Sequence, residues 1–212
     1  MKDLKFYSAV GLLLVAALSI ISPVTAQKKK RGSEPEAPRE NIKYREAEFY
    51  FTEGEKYFIL EDYAKSLLYF QRSLEVNPEN ATVHYKIADV LSRSDKQDDL
   101  MRASLSIENA LKLEKKNKYF YLLAASIYNA MAKFDKAAQT YENMLNEVKG
   151  TEEYLYELAA VYQYGRKPEN AIKTYNRAED YFGVNEVSSV QKIRLYFEIG
   201  KTKEAIAEGE KL

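Results

Sequence analysis

Ala103, Ala137, Ala171 and Ala205 recur at intervals of 34 residues, and a second column, Ala110, Met144, Ala178 and Leu212, keeps the same interval. A domain closed around one core has no use for such a period. It arises when one supersecondary unit is copied and stacked, each copy burying its apolar face against the next. A third column of small residues, Gly54, Ala88, Ala125 and Ala159, is followed three positions on by Tyr57, Leu91, Tyr128 and Tyr162. Ser66, Ala103, Ala137 and Ala171 are followed four positions on by Phe70, Ile107, Tyr141 and Tyr175. Small side chains let two helices approach, and large ones at i+3 and i+4 fill the space beside the contact. The expectation is an all-α solenoid of antiparallel helix pairs that works by presenting a surface.

These residues resemble the tetratricopeptide repeat, a unit of 34 residues folded as helix, turn, helix. The run Asp62-Tyr63-Ala64-Lys65-Ser66, continued by Phe70, Ser73 and Asn77-Pro78, is similar to the family's second helix and closing proline. The resemblance covers about residues 45–212 and implies a right-handed superhelix of five units, 47–80, 81–117, 118–151, 152–185 and 186–212, within an array of 43–212. Expected helices are 43–60, 63–76, 79–93, 98–114, 118–131, 134–147, 152–164, 168–181, 186–199 and 202–211. Departures from the family pattern are a first aromatic column that reads Tyr50, His84, Tyr121, Leu155 and Ser189, a closing proline that occurs once, and a weak fifth unit, which has Ile193 in a small-residue column and Gly209 in a bulky one.

Helix ends agree with this division. Pro78 and Pro168 suit first-turn positions, where a missing N–H costs nothing. Gly150-Thr151 reads as a helix stop followed by an N-cap, and Asn117 as another cap. The interval from Ser66 to Ala103 is three residues longer than the others, with the surplus expected in the polar stretch 92–99, where solenoids tolerate insertion. Leu212 falls inside the fifth unit's second helix, so either a longer polypeptide or an end covered by another subunit is expected, the first being preferred.

The N-terminus differs in kind. Lys2 and Lys5 precede an apolar run from Phe6 to about Ile21, and Val24 and Ala26 suit a signal-peptidase site, so 1–26 reads as a signal peptide of an exported, periplasmic or outer-envelope protein. The alternative is an uncut membrane anchor over 6–22, the one expected membrane contact. Residues 27–42, a basic, proline-containing stretch with few apolar residues, read as a disordered linker.

Several functions are disfavoured. The absence of cysteine removes disulfides, thiolate metal sites and lipid attachment on cysteine. The 32 basic residues equal the 32 acidic ones, and no repeat offers the basic stripe a nucleic-acid partner demands. There is no phosphate loop, no nucleophile elbow and only one histidine, His84, which sits in the aromatic packing column. No catalytic residue, cofactor or metal site is expected, and the chain is read as a non-enzyme.

The groove remains. In the resembled family, positions 2, 5, 9, 12 and 13 of each unit line the concave face. Carried over, they give Tyr85, Asp89 and Arg93 in the second unit, Tyr119, Leu122, Ser126 and Asn129 in the third, and Tyr156, Gln163 and Tyr164 in the fourth. Tyrosine offers broad area and a hydroxyl at small entropic cost, which suits recognition of a peptide or protein partner. Some members grip a C-terminal carboxylate through lysine at position 5 and asparagine at position 9. Here these are Phe51, Tyr85, Leu122, Tyr156 and Val190, and Glu55, Asp89, Ser126, Ala160 and Arg194, so that clamp is missing. The function implied is a protein-interaction scaffold of the cell envelope. The alternative is the N-terminal arm of a larger structural envelope protein, with a peptidoglycan-binding or membrane domain beyond Leu212.

Overall fold

A computed structural model describes residues 39–212; the expected signal peptide and most of the linker lie outside the described residues. Among the described residues, ten α-helices follow one another: α1 Arg39–Ile59, α2 Tyr63–Val76, α3 Ala81–Ser92, α4 Gln97–Leu113, α5 Lys118–Ala130, α6 Phe134–Glu147, α7 Leu155–Tyr164, α8 Pro168–Phe182, α9 Glu186–Glu198 and α10 Thr202–Gly209. They pack as five successive pairs, and each second helix also packs on the first helix of the next pair. This is a helical-repeat solenoid, with no strand among the described residues.

The packing columns are where the register demands. Ser66, Ala103, Ala137 and Ala171 are fully enclosed, as are Ala88, Ala125, Ala159, Phe70 and Ile107. The first pair uses serines in both columns, where the others have alanine in the first and Ala110, Met144, Ala178 and Leu212 in the second. Ser66 Oγ donates to Gly54 O at 3.0 Å and Ser73 Oγ to Ala47 O at 2.8 Å, fastening α2 to the α1 backbone. In buried positions those hydroxyls must find partners, and the neighbouring carbonyls supply them.

The turn inside a pair repeats as well. Glu61, Ala132, Arg166 and Gly200 all have φ between 54° and 72°, the left-handed region. One residue later, Asp62, Lys133, Lys167 and Lys201 donate back to Tyr57, Tyr128, Tyr162 and Tyr196 carbonyls at 2.8–3.0 Å. That closure satisfies orphan carbonyls at the helix end. The second pair departs from it: its turn, 93–96, is only one residue longer, and the surplus adds a turn to the start of α4, 97–99, inside the expected stretch but helical.

Several boundaries differ from expectation. α1 begins at Arg39, so residues 39–42, assigned to the linker, are helical. Pro78 lies in the turn before α3, because Asn80 is the cap, its side chain accepting from Val83 N at 3.1 Å. Thr151 stands at the N-cap of a single 3-10 turn, Glu152–Tyr154, that precedes α7, but its side chain makes no capping bond and its hydroxyl donates to Val148 O at 2.7 Å. Pro168 and Asn117 occupy their expected places at N1 and N-cap.

The fifth pair is thin, with α10 only 8 residues long and Leu212 62% exposed. It is held by something the apolar columns do not reveal. Lys192, fully buried, reaches Glu179, Glu208 and Asn176, so an ion network joins α8, α9 and α10.

Candidate functional site

The first helices of the pairs, α1, α3, α5, α7 and α9, form the candidate face, and side-chain contacts link α1 to α3 and α3 to α5. Lys86 Nζ on α3 donates to Glu55 Oε2 on α1 at 3.0 Å and stands 5.3 Å from the Phe58 ring centre. Arg93 approaches the same ring at 5.4 Å while binding Asp89 Oδ1 at 3.1 Å. The next link is aromatic: Tyr85 on α3 stacks on Phe120 on α5, centroids 5.1 Å apart. Burial pushes the Tyr85 hydroxyl above its ordinary pKa and Asp89 adds to this, while Arg93 opposes it. Tyr85, Asp89 and Arg93 thus form one cluster, with Tyr119 within its electrostatic reach.

Tyr119 is 61% exposed at the start of α5, beside the Lys118 ammonium, which also faces Tyr154 and lies 3.8 Å from Glu153. Leu122 is half-buried against the core, and Ser126 is exposed. Asn129 Oδ1 is buried without a hydrogen-bond partner, as is Glu55 Oε1. Such acceptors are uncommon in folded chains and mark places where a donor is wanting.

The fourth unit's residues are more committed to the fold than the groove pattern suggests. The Tyr156 hydroxyl accepts from Asn185 Nδ2 at 3.1 Å, and its ring stacks on Phe182 at 6.0 Å. Gln163 Nε2 donates to the buried Tyr175 hydroxyl at 2.8 Å. Tyr164, 71% exposed, stands apart at the end of α7, against Phe134 of the preceding pair. The contiguous part of the candidate face is therefore Tyr85, Asp89, Arg93 and Tyr119 on α3 and α5.

The first unit contributes lining residues absent from that set. A cleft is bounded by Tyr44, Ala47, Glu48, Phe51, Asn77, Asn80 and Thr82. Glu48, Phe51, Glu55 and Phe58 hold positions 2, 5, 9 and 12 of that unit, so the register that yielded the other candidates points to them too. Lys86, at position 6, had no such signal. Only the packing of α3 beside α1 brings it to Glu55.

Residues 47–80 match the family model of the tetratricopeptide repeat. No curated protein matches the chain. Among solved structures, the chain is similar to the MamA protein at 16% identity and TM-score 0.64, covering 79% of this chain and 90% of that one. It is similar to YrrB, described as a tetratricopeptide-repeat protein with an unusual peptide-binding site, at 12% identity and TM-score 0.61, over 80% and 85%. A third is the first such domain of Spaghetti (RPAP3) bound to the HSP90 peptide SRMEEVD, at 20% identity and TM-score 0.52, over 58% and 95%. At these identities the likeness is one of fold.

Proposed function

We propose that this chain, which carries a tetratricopeptide repeat at residues 47–80 and has the fold of tetratricopeptide-repeat solenoids, is a non-enzymatic interaction scaffold of the cell envelope. It holds an extended segment of a partner protein along the first-helix face. The observation that carries this reading is the set of half-buried Phe58 and Tyr85 rings, Tyr85 backed by the buried Phe120, and the exposed Tyr119, flanked by the Glu55–Lys86 and Asp89–Arg93 pairs. Rigid aromatic surface within a polar frame is the composition of peptide-binding hot spots. YrrB and the Spaghetti domain, both described with peptide sites or peptides, support the same class of partner. Export to the envelope rests on the sequence of residues 1–26.

A photocrosslinking side chain at Tyr119, compared with one at Lys173 on the exposed outer side of α8, tests the reading in intact cells. The expected outcome is a discrete adduct from position 119, found in the envelope fraction and mapping to one partner segment. Adducts of equal yield from both positions would sink the groove, and a cytosolic distribution would sink the envelope assignment.

A further inference from the structure

We infer that the junction of the third and fourth units is a cation-accepting subsite, in which Ser126 and Asn129 on α5 and Glu157 on α7 receive one lysine or arginine side chain of the bound partner segment. The inference rests on the groove reading above and deepens it.

The chain contains its own precedent. Counted from the small-residue column, Glu55 follows Gly54 as Ser126 follows Ala125, and Phe58 corresponds to Asn129. Lys86, two residues before Ala88, corresponds to Glu157, two residues before Ala159. At the first junction these positions hold a completed site, the Lys86 ammonium lying on the Phe58 ring and bonded to Glu55. At the third junction the cation is replaced by a carboxylate and the ring by an amide, leaving Glu157 without the positive charge that the first junction carries. Among the described residues, Glu157 has no ion pair, Ser126 no side-chain hydrogen bond, and Asn129 Oδ1 no partner. Nearby lysines are committed elsewhere, Lys118 to Glu153 and Lys136 to Glu108. The Asn129 amide turns about a soft terminal torsion, so either of its faces can meet the groove. A guanidinium or ammonium supplies the positive charge that Glu157 lacks and a donor for Asn129 Oδ1, and charge-assisted bonds of that type are the strong ones.

The test uses the isotope-labelled full chain and two short capped peptides, uncharged except for one central arginine in the first, which is citrulline in the second. The arginine peptide is expected to bind at least about fivefold more tightly, as one charge-assisted hydrogen bond supplies, and to shift the backbone amide signals of Ser126, Asn129 and Glu157. Glu157→Lys, which restores the residue type of the first junction, is expected to abolish that preference with unchanged far-UV dichroism. Equal binding of the two peptides in the groove, or a preference that survives Glu157→Lys, overturns the subsite and leaves the groove reading standing. Absence of any shift on α3, α5 and α7 with either peptide overturns both.

Discussion

Lys192 Nζ lies 2.7 Å from Glu208 Oε1, and neither side chain reaches solvent. The same unit position holds Ile87, Ala124 and Leu158 in the preceding three pairs, all core residues. The lysine is tolerated because Glu179 Oε2, at 2.6 Å, and Asn176 Oδ1, at 3.1 Å, complete its shell. Ser189 and Lys211 in turn donate to Glu208, at 2.9 and 2.7 Å. Taking charges out of water costs several kcal/mol per ion and is offset only where every group finds partners, as here.

Removing the cation therefore leaves two enclosed carboxylates facing each other. Lys192→Met is expected to destabilise the terminal pair by about 3–5 kcal/mol. In a solenoid that loss stays local. Hydrogen exchange should show α9 and α10 losing protection while α3 to α6 keep theirs, and uniform protection throughout would contradict the role given to Lys192.

The network also makes the end of the array acid-sensitive. Burial works to raise the Glu208 carboxyl, but hydrogen bonds from Lys192, Lys211 and Ser189 outweigh it and hold the group below its ordinary value of 4.5. A depressed carboxyl contributes stability that is fully present above its unfolded-state value and is lost as pH falls through the folded one. Protection of α10 should be level above about pH 5.5, a unit past that value, and decline below about 4.5. Glu208→Gln should flatten that profile.

Overpacking should expose the closest helix contacts. A Cβ on Gly54 would lie 2.6 Å from two carbons of the enclosed Phe70 ring. Gly54→Ala is expected to destabilise by about 1–3 kcal/mol despite the better helix propensity of alanine, and Ala125→Leu or Ala159→Leu by a similar amount. Gly209→Ala, whose Cβ would meet only Ile193 Cδ1 at 3.8 Å, should be neutral or stabilising. Thermal denaturation of the four variants checks the register, and equal melting temperatures would refute it.

Three of the four left-handed turn positions are not glycine. Ala132 and Arg166, both at φ 54°, are candidates for relief. Ala132→Gly and Arg166→Gly should each stabilise by about 0.5–1 kcal/mol, the left-handed penalty of an L-residue exceeding the chain entropy that glycine adds. Denaturant midpoints would register the gain, and a loss in both variants would mean the turns are built otherwise.

Tyr119 and Tyr156 separate recognition from architecture. Tyr156→Ala should lower the melting temperature, since it strips Asn185 and Phe182 of their partners, whereas Tyr119→Ala should leave it within about 0.5 kcal/mol of the parent. A measured partner affinity that falls in Tyr119→Ala assigns that ring to the groove, and one unchanged by it removes the ring from the site.

The spacing of Ala103, Ala137, Ala171 and Ala205 was enough to establish helix pairs and the faces they bury, because close helix approach tolerates only small side chains at fixed intervals. The tyrosines of the third and fourth units were legible as candidates because the resemblance to the tetratricopeptide repeat implies which unit positions line the groove. Their separation into Tyr119, presented, and Tyr156, spent on holding the α8–α9 connection, was not, since a register gives a side chain's direction and not its partners. Nor could the sequence distinguish Lys86 as half of an ion pair with Glu55, 31 residues away, or Lys192 as a core residue. Charged side chains read as surface until another element supplies the groups that neutralise them. Periodicity is a local property and determined the solenoid; which polar atoms were satisfied and which left open depended on neighbouring helices meeting, and only the tertiary structure decided that.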